Sequence, residues 1–167
     1  MMRKPDATPS SILERIISSL PAAKHALNVT VVYQGLPSRK WASEVFQKLE
    51  TMLGARVVRG TWWNLTDLGQ PGVLAGAVSR AMRSDVILIA APGSEGLPLP
   101  FYYWVNSWLP HRISAGAVVG LLAAPVPHNS ESGRLRKYLR TVARRARMDL
   151  LIAERITDKQ TTRFARI

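Results

Sequence analysis

Residues 86–91, Val-Ile-Leu-Ile-Ala-Ala, form an apolar run with no polar interruption, ended by Pro92-Gly93-Ser94-Glu95-Gly96. A strand with apolar side chains on both faces must be covered on both faces, which is the condition of a parallel sheet sandwiched between helix layers. Residues 117–123 and 150–153 repeat the pattern, and 29–33 and 56–61 are further strand-like runs. Between these five runs the sequence predicts helices over 39–53, 70–83, 98–109 and 131–147. In the first of them Trp41, Ala42, Val45, Phe46, Leu49, Met52 and Leu53 recur at helical rather than alternating spacing.

Strand and helix in strict alternation predict a three-layer α/β/α sandwich on a parallel sheet. Right-handed crossovers leave few ways to order five strands, and the flavodoxin-like order 2-1-3-4-5 is expected, with its topological switch between strands 1 and 3. An extra N-terminal helix is expected as well. Ser11 and Glu14 fit a capping box, and Ile12, Leu13, Ile16, Ile17 and Leu20 fall on one stripe before Pro21. The expected organisation is residues 1–27 as tail and amphipathic helix, 28–155 as the α/β domain, and 156–167 as a polar tail.

At 167 residues a single domain can remove about 70% of its unfolded surface from water. The chain has no cysteine, so disulfides and thiolate metal sites are excluded. Glu14 and Arg15 interrupt the N-terminal apolar segment, which argues against a signal peptide. The apolar run at 116–126 falls short of the roughly 20 residues of a membrane span. A cytoplasmic protein is expected. The net charge of +12 favours polyanionic partners: nucleic acid, anionic lipid or phosphorylated ligands.

Ligands of such sheets bind at the strands' carboxyl ends at the switch point. The candidate residues there are Gln34, Gly35, Ser38 and Arg39 after the first strand, and Pro92, Gly93, Ser94, Glu95 and Gly96 after the third. Ser38 is expected to cap the following helix, whose first amides, with Arg39 and Lys40, would hold a phosphate. Glu95 reads more simply as a solvated group than as a glycosidic nucleophile. Other chemistries lack their residues. Gln34 and Pro92 stand where a phosphoacceptor domain needs acids. There is no Gly-x-Gly-x-x-Gly after a strand, no P-loop and no Gly-x-Ser-x-Gly elbow. His25, His111 and His128 show no metal spacing.

Residues 85–109 resemble the third strand, loop and helix of NADPH-dependent FMN reductases and their flavodoxin-like relatives, through Pro92, Gly93, Ser94, Gly96, Pro98, Trp108 and Leu109. The resemblance implies FMN, or another phosphorylated planar ligand, with its ring against the 92–96 backbone. In a reductase, hydride would come from NAD(P)H and a homodimer would be usual. The chain departs from these families after the first strand, where Gln34-Gly35-Leu36-Pro37-Ser38-Arg39 replaces the Thr/Ser-rich phosphate loop and the reductases' Gly-Ser-x-Arg. Leu97-Pro98 and the block from Tyr138 to Asp149 also resemble a group of uncharacterised bacterial proteins of similar length, a likeness that implies no activity.

Phe101, Val105 and Trp108 lie at i, i+4, i+7 and are expected in the core. The segment 134–147 carries the densest charge. Leu135, Tyr138, Leu139, Val142, Ala143 and Ala146 fall on one side, and Arg134, Arg136, Lys137, Arg140, Arg144, Arg145 and Arg147 on the other. Of these, Arg136, Lys137, Arg140, Arg144 and Arg147 are the candidates for gripping a polyanion. A second reading therefore stands beside the first: a non-catalytic interaction module whose basic helix meets an acidic partner or nucleic acid. The sequence leaves open whether the protein is an enzyme.

Overall fold

The computed structural model describes residues 14–17, 26–93, 96–124 and 130–156. Five parallel strands, β1 (Leu27–Tyr33), β2 (Val58–Asn64), β3 (Val86–Pro92), β4 (Ala117–Ala124) and β5 (Asp149–Ile156), form one sheet in the order β2-β1-β3-β4-β5. Four helices connect them: α1 (Leu36–Leu53), α2 (Pro71–Arg83), α3 (Leu99–Trp108) and α4 (Ser130–Ala146). A 3₁₀ turn at Leu65–Gly69 leads from β2 to α2, and another at Leu109–His111 ends α3. The flavodoxin-like order expected from the sequence is the one observed.

The handedness of the connections distributes the helices. The chain steps one way from β1 to β2 and the other way at each later crossover, so right-handed connections put α1 on one face and α2, α3 and α4 on the other. The burial follows. On the three-helix face Val32, Ile87, Ile89, Val118 and Leu122 meet Ala77, Ala81, Phe101, Trp104, Val105, Trp108, Leu139 and Val142. On the other face Val31, Leu88, Ala90, Val119 and Leu121 meet Trp41, Ala42, Val45 and Leu49 of α1. One helix cannot span five strands, and residues 14–17 add to the cover: they are helical, and Ile16 is fully buried in the same cluster. Ser11, and with it the expected capping box, lies outside the described residues.

The core helix α3 carries more aromatic bulk than its spacing suggested. Phe101, Val105 and Trp108 are fully buried as expected, and so is Trp104, edge-on to Trp108 with ring centroids 5.6 Å apart. Tyr103 points outward, 56% exposed. β2 begins two residues later than expected, with Arg56 in the preceding turn, and runs through Trp62 and Trp63 to Asn64. It ends there because the Asn64 side chain accepts from the Thr66 amide and starts the 3₁₀ turn.

The amino-terminal edge of the sheet is closed by polar groups. Asp85 accepts from the Asn28 amide at 2.9 Å. The Thr30 and Ser84 hydroxyls pair, and Ser84 donates to the Arg80 carbonyl. Arg112, 6% exposed, reaches the end of α2 and donates to the carbonyls of Ala81 at 2.8 Å and Ala115 at 3.0 Å. A cation is well placed there, because the last carbonyls of a helix lack intrahelical donors and carry the negative end of its dipole.

Candidate functional site

Tyr33 ends β1 level with Ala90, whereas β3 runs on to Pro92, paired with Ala123 of β4. Two further residues at about 3.3 Å each make a step of roughly 7 Å in the carboxyl edge of the sheet. The start of α1 faces this step. The Gln34 amide donates to the Ala90 carbonyl and holds the chain on β3 for one more residue. Gly35, at φ 85°, then turns it. A side chain at that φ would be strained. The first intrahelical bond is from the Arg39 amide to the Gly35 carbonyl at 3.1 Å.

This start corrects the expected cap. Gly35, not Ser38, is the N-cap, and the helix begins three residues before 39. Pro37 is the reason: its fixed φ and missing N–H are tolerated in a first helical turn, so Leu36-Pro37-Ser38 joins the helix instead of preceding it. Ser38 is therefore a first-turn residue with a buried side chain (2% exposed). The amides of Gly35, Leu36 and Ser38 have no intrahelical acceptor, and Pro37 contributes none. Three donors and the positive end of the α1 dipole are thus offered at the step.

The side chains around it divide. Gln34 Oε1 is buried without a hydrogen-bond partner, an acceptor that a ligand O–H or N–H would satisfy. Arg39 lies 5.6 Å from the ring centres of both Tyr33 and Trp62, over the β1–β2 half of the edge. Trp62 is in turn edge-on to Phe46. Pro92 and Gly93 stand on the β3–β4 half, where the Gly93 amide donates to the Ala123 carbonyl and continues the ladder. Gly96 is exposed farther along the loop. Ser94 and Glu95 lie outside the described residues.

Two residues at this edge escaped the sequence reading. Leu36 and Leu99, the first residues of α1 and α3, are 78% and 60% exposed. Each is a leucine at a helix start, a position with no core neighbour. Knowing that both helices start at one edge of the sheet would have exposed the pattern. Among the described residues of 34–40 and 92–99 there is no Asp, Glu or His, and no cluster of metal-binding side chains is found among the described residues. Among its described residues the edge offers backbone donors and exposed apolar side chains, and no acid–base pair.

The second candidate surface is α4. Leu135, Leu139, Val142, Ala143 and Ala146 are buried, and Arg134, Lys137, Arg140, Arg144, Arg145 and, just past the helix end, Arg147 are exposed. Arg136 leaves this set: it is half-buried and pairs with Glu154 of β5 at 3.4 Å. Tyr138 packs edge-on against Tyr102 and Phe101. Burial, and secondarily Tyr102, push its phenol up to about 12, with Arg145 opposing.

The fold is flavodoxin-like. No family model matches the sequence, and no curated protein matches it significantly. Solved structures do match. An oxidoreductase from Corynebacterium diphtheriae is similar at 17% identity with a TM-score of 0.64, over 86% of this chain and 93% of that one. A flavodoxin of Streptococcus pneumoniae TIGR4 is 10% identical with a TM-score of 0.56, over 83% and 93%. An NADH:FMN oxidoreductase in its apo form is 17% identical with a TM-score of 0.52, over 75% and 73%. Among the described residues no helix is long and apolar enough to cross a membrane.

Proposed function

We propose that the stepped edge between β1 and β3 binds FMN or another phosphorylated planar ligand. The observation that carries this reading is the buried, unpartnered Gln34 Oε1 beside the first-turn amides of α1. An acceptor without a donor and donors without intrahelical acceptors meet at the switch point of the sheet. The amides of Gly35, Leu36 and Ser38 hold the phosphate. Gln34 takes a hydrogen bond from a ligand hydroxyl or imide, and the backbone of Pro92, Gly93 and Gly96 lies against the ring, with Leu36 and Leu99 forming an apolar rim. The solved structures named above, a flavodoxin and an NADH:FMN oxidoreductase among them, support a flavin as the occupant.

A flavin held there would itself supply the hydride and electron chemistry of an NAD(P)H-dependent reductase. The chain's part is to position the ring and exclude water, which agrees with the lack of acid and base groups among the described residues of the edge.

Titration with FMN, read by flavin fluorescence, tests the reading. Micromolar binding is expected, with riboflavin, which lacks the phosphate, weaker by roughly 10-fold or more, since hydrogen bonds to a charged group are worth about 1.5–3 kcal/mol each. Gly35→Val, which forces a branched side chain to φ 85°, should abolish FMN binding. A protein that ignores FMN at high micromolar concentration, or takes riboflavin equally well, would overturn the phosphate assignment.

A further inference from the structure

The charge of this chain is concentrated. Residues 134–148 hold seven basic side chains and no acid, so they account for +7 of the net +12, and the other 152 residues, with 16 basic and 11 acidic, for +5. Within that segment Lys137, Arg140 and Arg144 are exposed and fall at i, i+3 and i+7, a single line along the outer face, with exposed Arg147 just past the end of the helix. At a rise of 1.5 Å per residue the line together with Arg147 is about 15 Å long. The acids nearest in sequence are Asp149, exposed beyond Arg147, and Glu131, in the first turn of α4; Glu154 of β5 takes Arg136.

Arg147 adds an independent observation. α4 ends with the Met148 amide on the Ala143 carbonyl, and Arg147 sits at φ 58° between them. That is the position where helices ordinarily place glycine, because a Cβ is strained there. An arginine in this place extends the cationic line at the expense of a better helix end.

We infer that the outer face of α4 binds the phosphodiester backbone of nucleic acid without reading its sequence. The apolar side of the helix is spent on the core, with Leu135, Leu139 and Val142 buried, so no apolar face remains to enter a lipid surface. Five of the six exposed cations of residues 134–147 are arginines, whose planar guanidinium suits phosphate oxygens. A duplex presents about one negative charge per 1.7 Å, enough along 15 Å to engage every cation in the line. Because α4 runs antiparallel to the strands, Arg140–Arg147 lie toward the amino edge of the sheet, away from the FMN edge, and the two sites are separately testable.

The experiment is fluorescence anisotropy of a labelled 20-base-pair DNA duplex titrated with the full chain between 50 and 200 mM salt. Four phosphate contacts predict a log–log salt slope of about −3.6, or roughly a 150-fold loss of affinity across that range. R140Q/R144Q/R147Q should flatten the slope by about 2.7, whereas the exposed control R56Q/R59Q/R83Q leaves it unchanged. Arg147→Gly separates a structural from a binding role. It should raise Tm by about 2–4 °C through relief of the strained φ, while flattening the slope by about 0.9. The inference is overturned by no binding at 50 mM salt, by equal effects of the two triple variants, or by an Arg147→Gly slope equal to that of the parent. Polyglutamate competing as well as DNA at equal charge, or vesicles of 30% phosphatidylserine binding more tightly than DNA, would likewise overturn it in favour of an acidic protein or a membrane surface.

Discussion

Replacing Arg112 with methionine keeps an unbranched apolar stem and removes the guanidinium with its charge and donors. The guanidinium makes two short hydrogen bonds, to Ala81 and Ala115 carbonyls at 2.8 and 3.0 Å. Charge-to-neutral bonds contribute about 1.5–3 kcal/mol each, so their loss costs about 3–6 kcal/mol gross. Burial already opposes the charge: it lowers the Arg112 pKa, with Asp85 partly restoring it, and Nε is buried without a partner. Releasing that penalty returns about 1–3 kcal/mol. The net expectation is a loss of about 2–3 kcal/mol, which for a domain of this size lowers Tm by roughly 4–12 °C. Urea denaturation followed by circular dichroism measures it, with an unchanged m-value showing that the denatured state is unaffected. Arg83→Met, on the exposed side of the same helix end, is the control and should fall within about 0.5 kcal/mol of the parent. If Arg112→Met matched that control, the guanidinium would be no more than a surface charge, and the account of how the amino edge is closed would fail.

Two further outcomes follow from neighbouring geometry. A Cβ at Gly116 would stand 2.6 Å from the Asp85 carbonyl oxygen and 2.7 Å from Arg112 Nη2; Gly116→Ala should therefore cost about 1–3 kcal/mol. In the double variant R112M/G116A the penalties should sum to less than additive, since one of the two clashes disappears with the guanidinium. The Tyr138 phenol, held up to about 12 in the fold, titrates near 10 when unfolded. The folded state thus keeps a proton that the unfolded state loses, and stability, complete below pH 10, should fall as pH rises from 10 to 12. Tyr138→Phe should remove that alkaline fall; urea midpoints from pH 9 to 11.5 that decline equally in both proteins would refute the assignment.

The architecture was legible because it depends on local pattern and on chirality. Uninterrupted apolar runs such as 86–91 specify strands buried on both faces, helical spacing specifies what lies between them, and right-handed crossover then leaves the observed order. The core role of Phe101, Val105 and Trp108 and the outward basic side of α4 follow from the same periodicity. The start of α1 is not legible locally, because Pro37-Ser38 suits either a loop with a serine cap or a first turn, and the choice rests on Gly35 adopting φ 85°.

Local pattern thus sets the list of elements and, through chirality, their order in the sheet. Tertiary structure alone decided the relations between residues distant along the chain. It carried Arg112 to a carbonyl 31 residues away, paired Arg136 with Glu154 and so removed it from the basic line, and brought Leu36 and Leu99 to one edge. The physical reason is that periodicity records only which side of its own element a residue occupies. A buried guanidinium's partner, or a free first-turn amide's neighbour, is set by how elements stack, and no local window of sequence contains that distance.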